Sequence, residues 1–280
     1  MAPATVNFWF EFVSPYSMIS ALRLFYALNP KHAPAAAGLL RGSPSGEVPD
    51  LSDVNVVFRP ISLGAVFKAA GQIPLPIMAI PIKGKYMFHD VARSLNALGQ
   101  PGFPLTKPAS WPPNSTVAGR MTWMLTQGVD YVNSLNSGSR VVAASPGQVL
   151  PLAQTKVIAE FVWRVYETEF MTSEDIGSPE VIAKLWDLHV CQASKMDGRE
   201  LPDGQQAVAL AQGDVVKAGF KSSSQEAINN SLFGAPSFTT EDGDMYWGND
   251  RLFEALVHRN VQDASTPKTG FSAKNRGANL

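Results

Sequence analysis

Two stretches of this sequence carry residue types that could do chemistry: Ser14-Pro15-Tyr16-Ser17 and the distant Gly234-Ala235-Pro236. Ser14 follows an apolar, aromatic run and precedes a helical pattern, so its hydroxyl is expected at a helix N-terminus. Serine is a good N-cap, and Pro15 suits the first helical position, where its missing N–H costs nothing. The free N–H groups there, with about half a positive charge, favour an anion. A hydroxyl donating to a bound thiolate makes a charge-assisted bond of about 1.5–3 kcal/mol. Bringing a thiol from about 8.5 to near neutrality takes about 2.7 kcal/mol, so the magnitudes match. The chain holds one cysteine, Cys191. That count excludes an intrachain disulfide, a two-cysteine redox motif and a cysteine-rich metal cluster. A working sulfur must arrive with a ligand.

The elements that position these residues follow from the hydrophobic pattern. Val6 to Val13 reads as a buried strand, with Phe8, Phe10 and Phe12 on one face and Trp9, Glu11 and Val13 on the other. Met18, Leu22, Phe25 and Tyr26 then recur at helical spacing. His32 to Asp50 is poor in pattern and reads as an exposed loop. Val54 to Phe58 is a second strand, ended by Arg59-Pro60, which makes a right-handed β-α-β unit. Proline and glycine crowd positions 71–113, and the pattern there predicts short helices, irregular connections and a helix from His89 to Leu98. Ser115 to Ala211 is mostly helical, with one strong helix marked by Val157, Ile158, Phe161, Val162 and Val165 and another begun by Ser178-Pro179-Glu180. Asp214 to Leu232 reads as a further helix. Gly234 to Thr240 reads as turn into strand, Glu241-Asp242-Gly243-Asp244 as a hairpin turn and Met245 to Trp247 as its partner strand, and a last helix runs from Arg251 to Val257.

Removing the helical middle leaves β-α-β-α-β-β-α, the connectivity of a thioredoxin domain. The expected fold is therefore α/β: a thioredoxin-like fold interrupted by an all-helical insertion. Residues 1–62 and 212–262 would form the discontinuous thioredoxin-like domain, 63–211 the insertion and 263–280 a flexible tail. In that fold the proline at 236 is cis and faces the helix N-terminus, leaving the preceding backbone to pair with an extended peptide. Such a site suits a small cysteine-containing peptide, and glutathione is the first candidate.

Composition agrees. The 280 residues are 45% hydrophobic and 17% charged, ample for a sizeable core. A net charge of −1 gives no pull toward nucleic acid or an anionic membrane. No signal segment or membrane span is expected. Cys191, and Trp111, Trp123, Trp163 and Trp186, read as core; His32, His89 and His258 lack metal-ligand spacing.

The ordered set Phe10 to Ser17, Phe58-Arg59-Pro60 with Leu63 to Lys68, and Gly234-Ala235-Pro236 with Trp247 to Leu252 resembles the kappa-class glutathione transferase and 2-hydroxychromene-2-carboxylate isomerase family, within the DsbA-like thioredoxin superfamily. The resemblance implies that Ser14 holds the glutathione sulfur as a thiolate, beside Pro15 and Tyr16. It implies that Gln72, where the family has asparagine, contacts glutathione. Lys83 would approach the glycyl carboxylate, with Lys85 as the fallback. Ala235, before Pro236, would supply the paired backbone, and Asn249 and Asp250 would hold the γ-glutamyl end. Each of these residues also has an ordinary reading: Ser14 and Asp250 as helix caps, Lys83 as a solvated surface charge. Glu11, three residues before Ser14, either tunes the site or is a paired carboxylate.

The expected activity is attack of bound glutathione thiolate on an electrophilic apolar or aromatic substrate, as a transferase or as an isomerase that returns glutathione. The alternative is a glutathione- or peptide-binding module without catalysis or redox activity. A homodimer is implied by the family. The expected compartment is the cytosol, with mitochondrion or peroxisome behind it, the latter from a weak Ala278-Asn279-Leu280 address.

Overall fold

Alternation along the first strand sets the architecture. In the computed structural model, which describes residues 3–33, 51–73, 76–100, 103–108, 111–139, 148–172, 174–196 and 200–258, β1 spans Ala4–Phe10. It pairs in parallel with β2 (Val54–Pro60) and antiparallel with β3 (Ser237–Thr240), which pairs with β4 (Met245–Trp247). The strand order is β2-β1-β3-β4. Phe8 lies beside both Phe58 and Phe238, with ring centroids 5.7 and 5.4 Å away. All three are buried, each worth roughly 2–3 kcal/mol of transfer free energy. The opposite face carries Trp9, which packs with Ile61, Val66, Ala227 and Leu232.

Twelve α-helices are described: α1 (Pro15–Leu28), α2 (Leu63–Ala69), α3 (Pro76–Ala79), α4 (Pro81–Ala97), α5 (Thr116–Thr126), α6 (Val129–Asn136), α7 (Leu152–Glu167), α8 (Pro179–Trp186), α9 (Gln192–Met196), α10 (Gly204–Ala211), α11 (Asp214–Asn229) and α12 (Leu252–Leu256). One apolar cluster runs without a break from Phe8 and Phe10 through α1 and α7 to Ile182, Trp186 and Ala207. The fold is the mixed α/β arrangement expected, with helices filling the chain between β2 and β3. Trp111, Trp123, Trp163, Trp186 and Cys191 are buried as anticipated. The Cys191 thiol is pushed up to about 11, chiefly by burial, and is inert at neutral pH.

Several boundaries differ from the sequence reading, for physical reasons. β1 ends at Phe10 instead of Val13, because Glu11 to Ser14 turns back: the Ser14 N–H bonds the Glu11 carbonyl at 2.9 Å. The helix expected from His89 begins at Pro81, so Lys83-Gly84-Lys85 lies inside it. Gly84 breaks nothing there; a Cβ at that position would lie 2.8 Å from the Ile77 carbonyl oxygen, so its absence lets α3 sit on α4. α11 stops at Asn229 because Ser231 takes a left-handed φ of 60°. The last helix starts with a 3-10 turn, Asn249–Arg251, before α12. Two π-helical turns, Thr168–Thr172 and Asp187–Cys191, have no signal in the sequence pattern. The loop read at 32–50 falls, from residue 34 to 50, outside the described residues, as do the tail and the C-terminal tripeptide.

Candidate functional site

Ser14 caps α1 from an extended conformation, its Oγ accepting the Ser17 N–H at 3.2 Å. The same oxygen donates to the Ala235 carbonyl at 3.1 Å, across 221 residues of chain. Ala235-Pro236 is a cis peptide, as the fold reading expected. The Pro236 carbonyl accepts the Gly248 N–H at 3.0 Å, and Gln72 Nε2 donates to the Phe233 carbonyl at 2.8 Å. Gly248 has φ 111°, a conformation that side chains resist and that turns the chain into Asn249 and Asp250. Four of the anticipated positions, Ser14, Pro15, Ala235 and Pro236, are therefore stitched together at the N-terminus of α1, and the Gly248 bond to Pro236 ties the 249–250 turn to them. Gln72 is tied to the same loop by its bond to Phe233.

The chemistry open to this arrangement follows from the hydroxyl. Its hydrogen points to a carbonyl, yet an O–H rotates, so it can turn to a ligand sulfur while Oγ keeps the Ser17 N–H. Backbone donors and the dipole of α1 then face the same anion. Ser17, the second hydroxyl of the motif, is fully buried.

Tyr16, the third residue of the motif, reaches a neighbouring helix with its hydroxyl. Its hydroxyl donates to Asp90 Oδ2 at 2.9 Å, on α4, and burial, with the Asp90 carboxylate, holds the phenol well above its ordinary value. Asp90 also holds Arg93 at 2.9 Å and receives the Tyr86 hydroxyl at 3.4 Å. Lys83 is exposed in the first turn of that same helix, seven residues from Asp90, and Lys85 is exposed beside it. Lys83 and Lys85 thus lie on the helix to which the Tyr16 hydroxyl is bonded.

Sequence reasoning missed Arg23. Only 2% exposed, it donates from Nη1 to the Asn249 carbonyl, joining the middle of α1 to the 248–250 turn. Burial lowers its guanidinium to about 10, against the opposing pull of Glu254 and Asp250, so it stays charged at neutral pH. A lone arginine between Leu22 and Leu24 on an apolar helix was the available signal. Asp250 itself is exposed, with Arg251 Nε 3.6 Å from Oδ2.

Glu11 is a paired carboxylate that also touches the site's own turn. Ser115, just before α5, donates to its Oε1, and Tyr166 of α7 donates to its backbone carbonyl at 2.9 Å. Burial pushes the carboxyl up to about 7, partly offset by the Ser115 hydroxyl. Glu169, fully buried in the first π turn, is likewise pushed up to about 7 by burial. Among the described residues no group of three His, Cys, Asp or Glu is placed to hold a metal ion, and no helix is long and apolar enough to cross a membrane.

Residues 5–135 match the family model of the DsbA-like thioredoxin domain. Over those residues, just under half of the 280, the chain is similar to that domain. Solved structures similar to it include a 2-hydroxychromene-2-carboxylate isomerase, with a TM-score of 0.59 and 19% identity over 91% of this chain and 94% of that one. A probable DsbA oxidoreductase from Streptomyces coelicolor aligns with a TM-score of 0.52 and 13% identity, over 94% of this chain and 92% of that one. No curated protein sequence matches the chain. The DsbA-like resemblance read from Ser14-Pro15-Tyr16-Ser17 and Ala235-Pro236 is borne out. Ser14-Pro15-Tyr16-Ser17 carries serines at both positions where a Cys-Pro-x-Cys turn would carry thiols.

Proposed function

We propose that this DsbA-like protein is a glutathione-dependent enzyme that holds the glutathione thiolate at Ser14 and delivers it to an electrophilic apolar or aromatic substrate. The observation that carries the reading is the Ser14 hydroxyl at the α1 N-terminus, 3.1 Å from the Ala235 carbonyl, in a chain whose one cysteine is buried elsewhere. On binding, the glutathione thiol releases its proton to water, and the Ser14 O–H turns from Ala235 to the sulfur. The sulfur lone pair then forms a C–S bond with the electrophilic carbon. A departing halide or similar group makes the reaction a transfer; breaking the same C–S bond after rotation returns glutathione and makes it an isomerisation. Gln72, Lys83, Asn249 and Asp250 would bind the peptide, Asp250 facing its ammonium and Lys83 a carboxylate. The isomerase among the structural neighbours supports the second outcome.

Calorimetric titration with glutathione, followed by conjugation of an aryl halide and a count of glutathione consumed, tests the reading. Saturable binding, with turnover that falls in Ser14→Ala, is the expected result; no heat at millimolar glutathione overturns it. A binding module without catalysis is the second reading. It is favoured by one observation: Ser14 Oγ already satisfies both its donor and acceptor roles within the protein. Saturable binding with no turnover would select it.

A further inference from the structure

A cavity of about 400 Å³ opens at the free edge of β2, between α5, α6 and α11. The strand order puts this edge on the far side of β1 from β3, away from the Ser14–Ala235 contact. Its walls are aromatic and apolar: Phe58, Pro60, Trp123 and Tyr131, with the Trp123 and Tyr131 rings edge to face at 5.9 Å. The α11 side is kept low by Ala218, Gly219 and Ser222. A Cβ at Gly219 would overlap the Trp123 ring, so the close seat of Trp123 depends on that glycine.

Two polar atoms in this wall, the Tyr131 hydroxyl and Arg59 Nε, have no hydrogen-bond partner among the described residues. Tyr131, 6% exposed, has a hydroxyl with no hydrogen-bond partner. Arg59, 8% exposed, lies 4.5 Å over the Trp9 ring and pairs with Glu226, yet its Nε has no acceptor. A buried polar group without a partner costs about 1–3 kcal/mol, so a ligand that supplies one gains by it. Both orphans are donors. What they lack is an acceptor, and Glu226 already balances the charge of Arg59.

We infer that this cavity is a second binding site, for a neutral, planar aromatic molecule bearing a carbonyl acceptor. Trp123 and Phe58 take the flat body, and a small rotation of the Tyr131 or Arg59 side chain brings a donor to the carbonyl. An anionic acceptor is disfavoured by the Glu226 carboxylate at the rim; a hydrocarbon leaves both donors unmet. The volume falls in the range of small-molecule sites, roughly 300–1,000 Å³.

The test is calorimetric titration of the full chain with 2-acetylnaphthalene, with 2-ethylnaphthalene and 2-naphthoate as comparators. The ketone should bind saturably and at least ten-fold more tightly than the hydrocarbon or the acid. Ala218→Trp, placed on an exposed position that fills the cavity, should weaken binding at least ten-fold, and Tyr131→Phe about five-fold. Ser14→Ala should leave it unchanged, since the site is separate from the one at α1. Absence of saturable binding overturns the inference. So does equal affinity for the hydrocarbon, or undiminished binding to folded Ala218→Trp.

Discussion

On the β3 side of β1, the side chains of Ser14 and Gln72 and the Gly248 N–H each end on a backbone carbonyl. On the β2 side, Arg59 Nε and Tyr131 Oη end on no acceptor among the described residues, and a cavity lies beside them. Both flanks use the same sheet and similar residue types. The difference lies in what closes them. The β3 flank is closed by loops whose carbonyls converge on the α1 N-terminus, so its polar groups are pre-set. The β2 flank is closed by helices, whose carbonyls serve their own ladders and local side chains, Thr126 and Gln127 on the Trp123 carbonyl and Ser224 on the Phe220 carbonyl, instead of Arg59 or Tyr131. A loop-closed flank is ready for a reacting anion, and a helix-closed flank is left with donors to offer.

The largest expected effect lies on the loop-closed flank. Ser14→Ala should lower the glutathione conjugation rate about 100-fold and return the bound thiol toward its ordinary pKa, read from thiolate absorbance against pH. On the opposite flank, Gly219→Ala forces Trp123 to move and should cost about 2 kcal/mol, measured by urea denaturation. A fully stable variant would mean that the cavity wall is loose and the contrast unreal.

The next effect sits where the flanks meet, at Glu11. Its carboxyl is raised from 4.5 to about 7, so between those values the folded chain keeps a proton that the unfolded chain has lost. Stability therefore falls as pH rises through that window. Glu11→Gln should remove about 1–2 kcal/mol of the difference between pH 5 and pH 8 in thermal unfolding. An unchanged pH slope would place the titration elsewhere, with Glu169 the next to replace.

Arg23→Met should raise the KM for glutathione about ten-fold with kcat held. The dipeptide Cys-Gly, which lacks the γ-glutamyl end, should be unaffected. Equal losses for both thiols would make Arg23 a general packing residue. Tyr16→Phe is the mildest: loss of the Asp90 bond should cost about 1 kcal/mol of stability.

The fold was legible because its signals are local. Phe8, Phe10 and Phe58 alternate as strands require, Ser14-Pro15 and Ser178-Pro179 begin helices, and the hairpin at 237–247 announces its own turn. Of the site, Ser14 and Ala235-Pro236 were legible because an N-cap and a strand-opening proline each carry a backbone signature. Arg23, Asp90 and Ser115 were not, because their roles rest on contacts between residues 74 to 226 positions apart. Spacing along one chain segment carries no trace of such pairings. Tyr16 shows the same limit from the other side: its place beside Ser14 suggested a ligand contact, and its hydroxyl went to α4.

Tyr16 and Arg23 are seven residues apart on α1, two helical turns, and so project from one side of it. One anchors the helix that bears Lys83, the other the turn that bears Asp250. Their separation is fixed by helical rise at about 10 Å, and their alignment by helical phase. Deleting a single residue between them would swing one anchor about 100° from the other while leaving Ser14 at the head of the helix. The interval from 16 to 23 is therefore fixed in length by its two anchors as firmly as Met18, Ile19, Ala21 and Leu22 within it are fixed by burial.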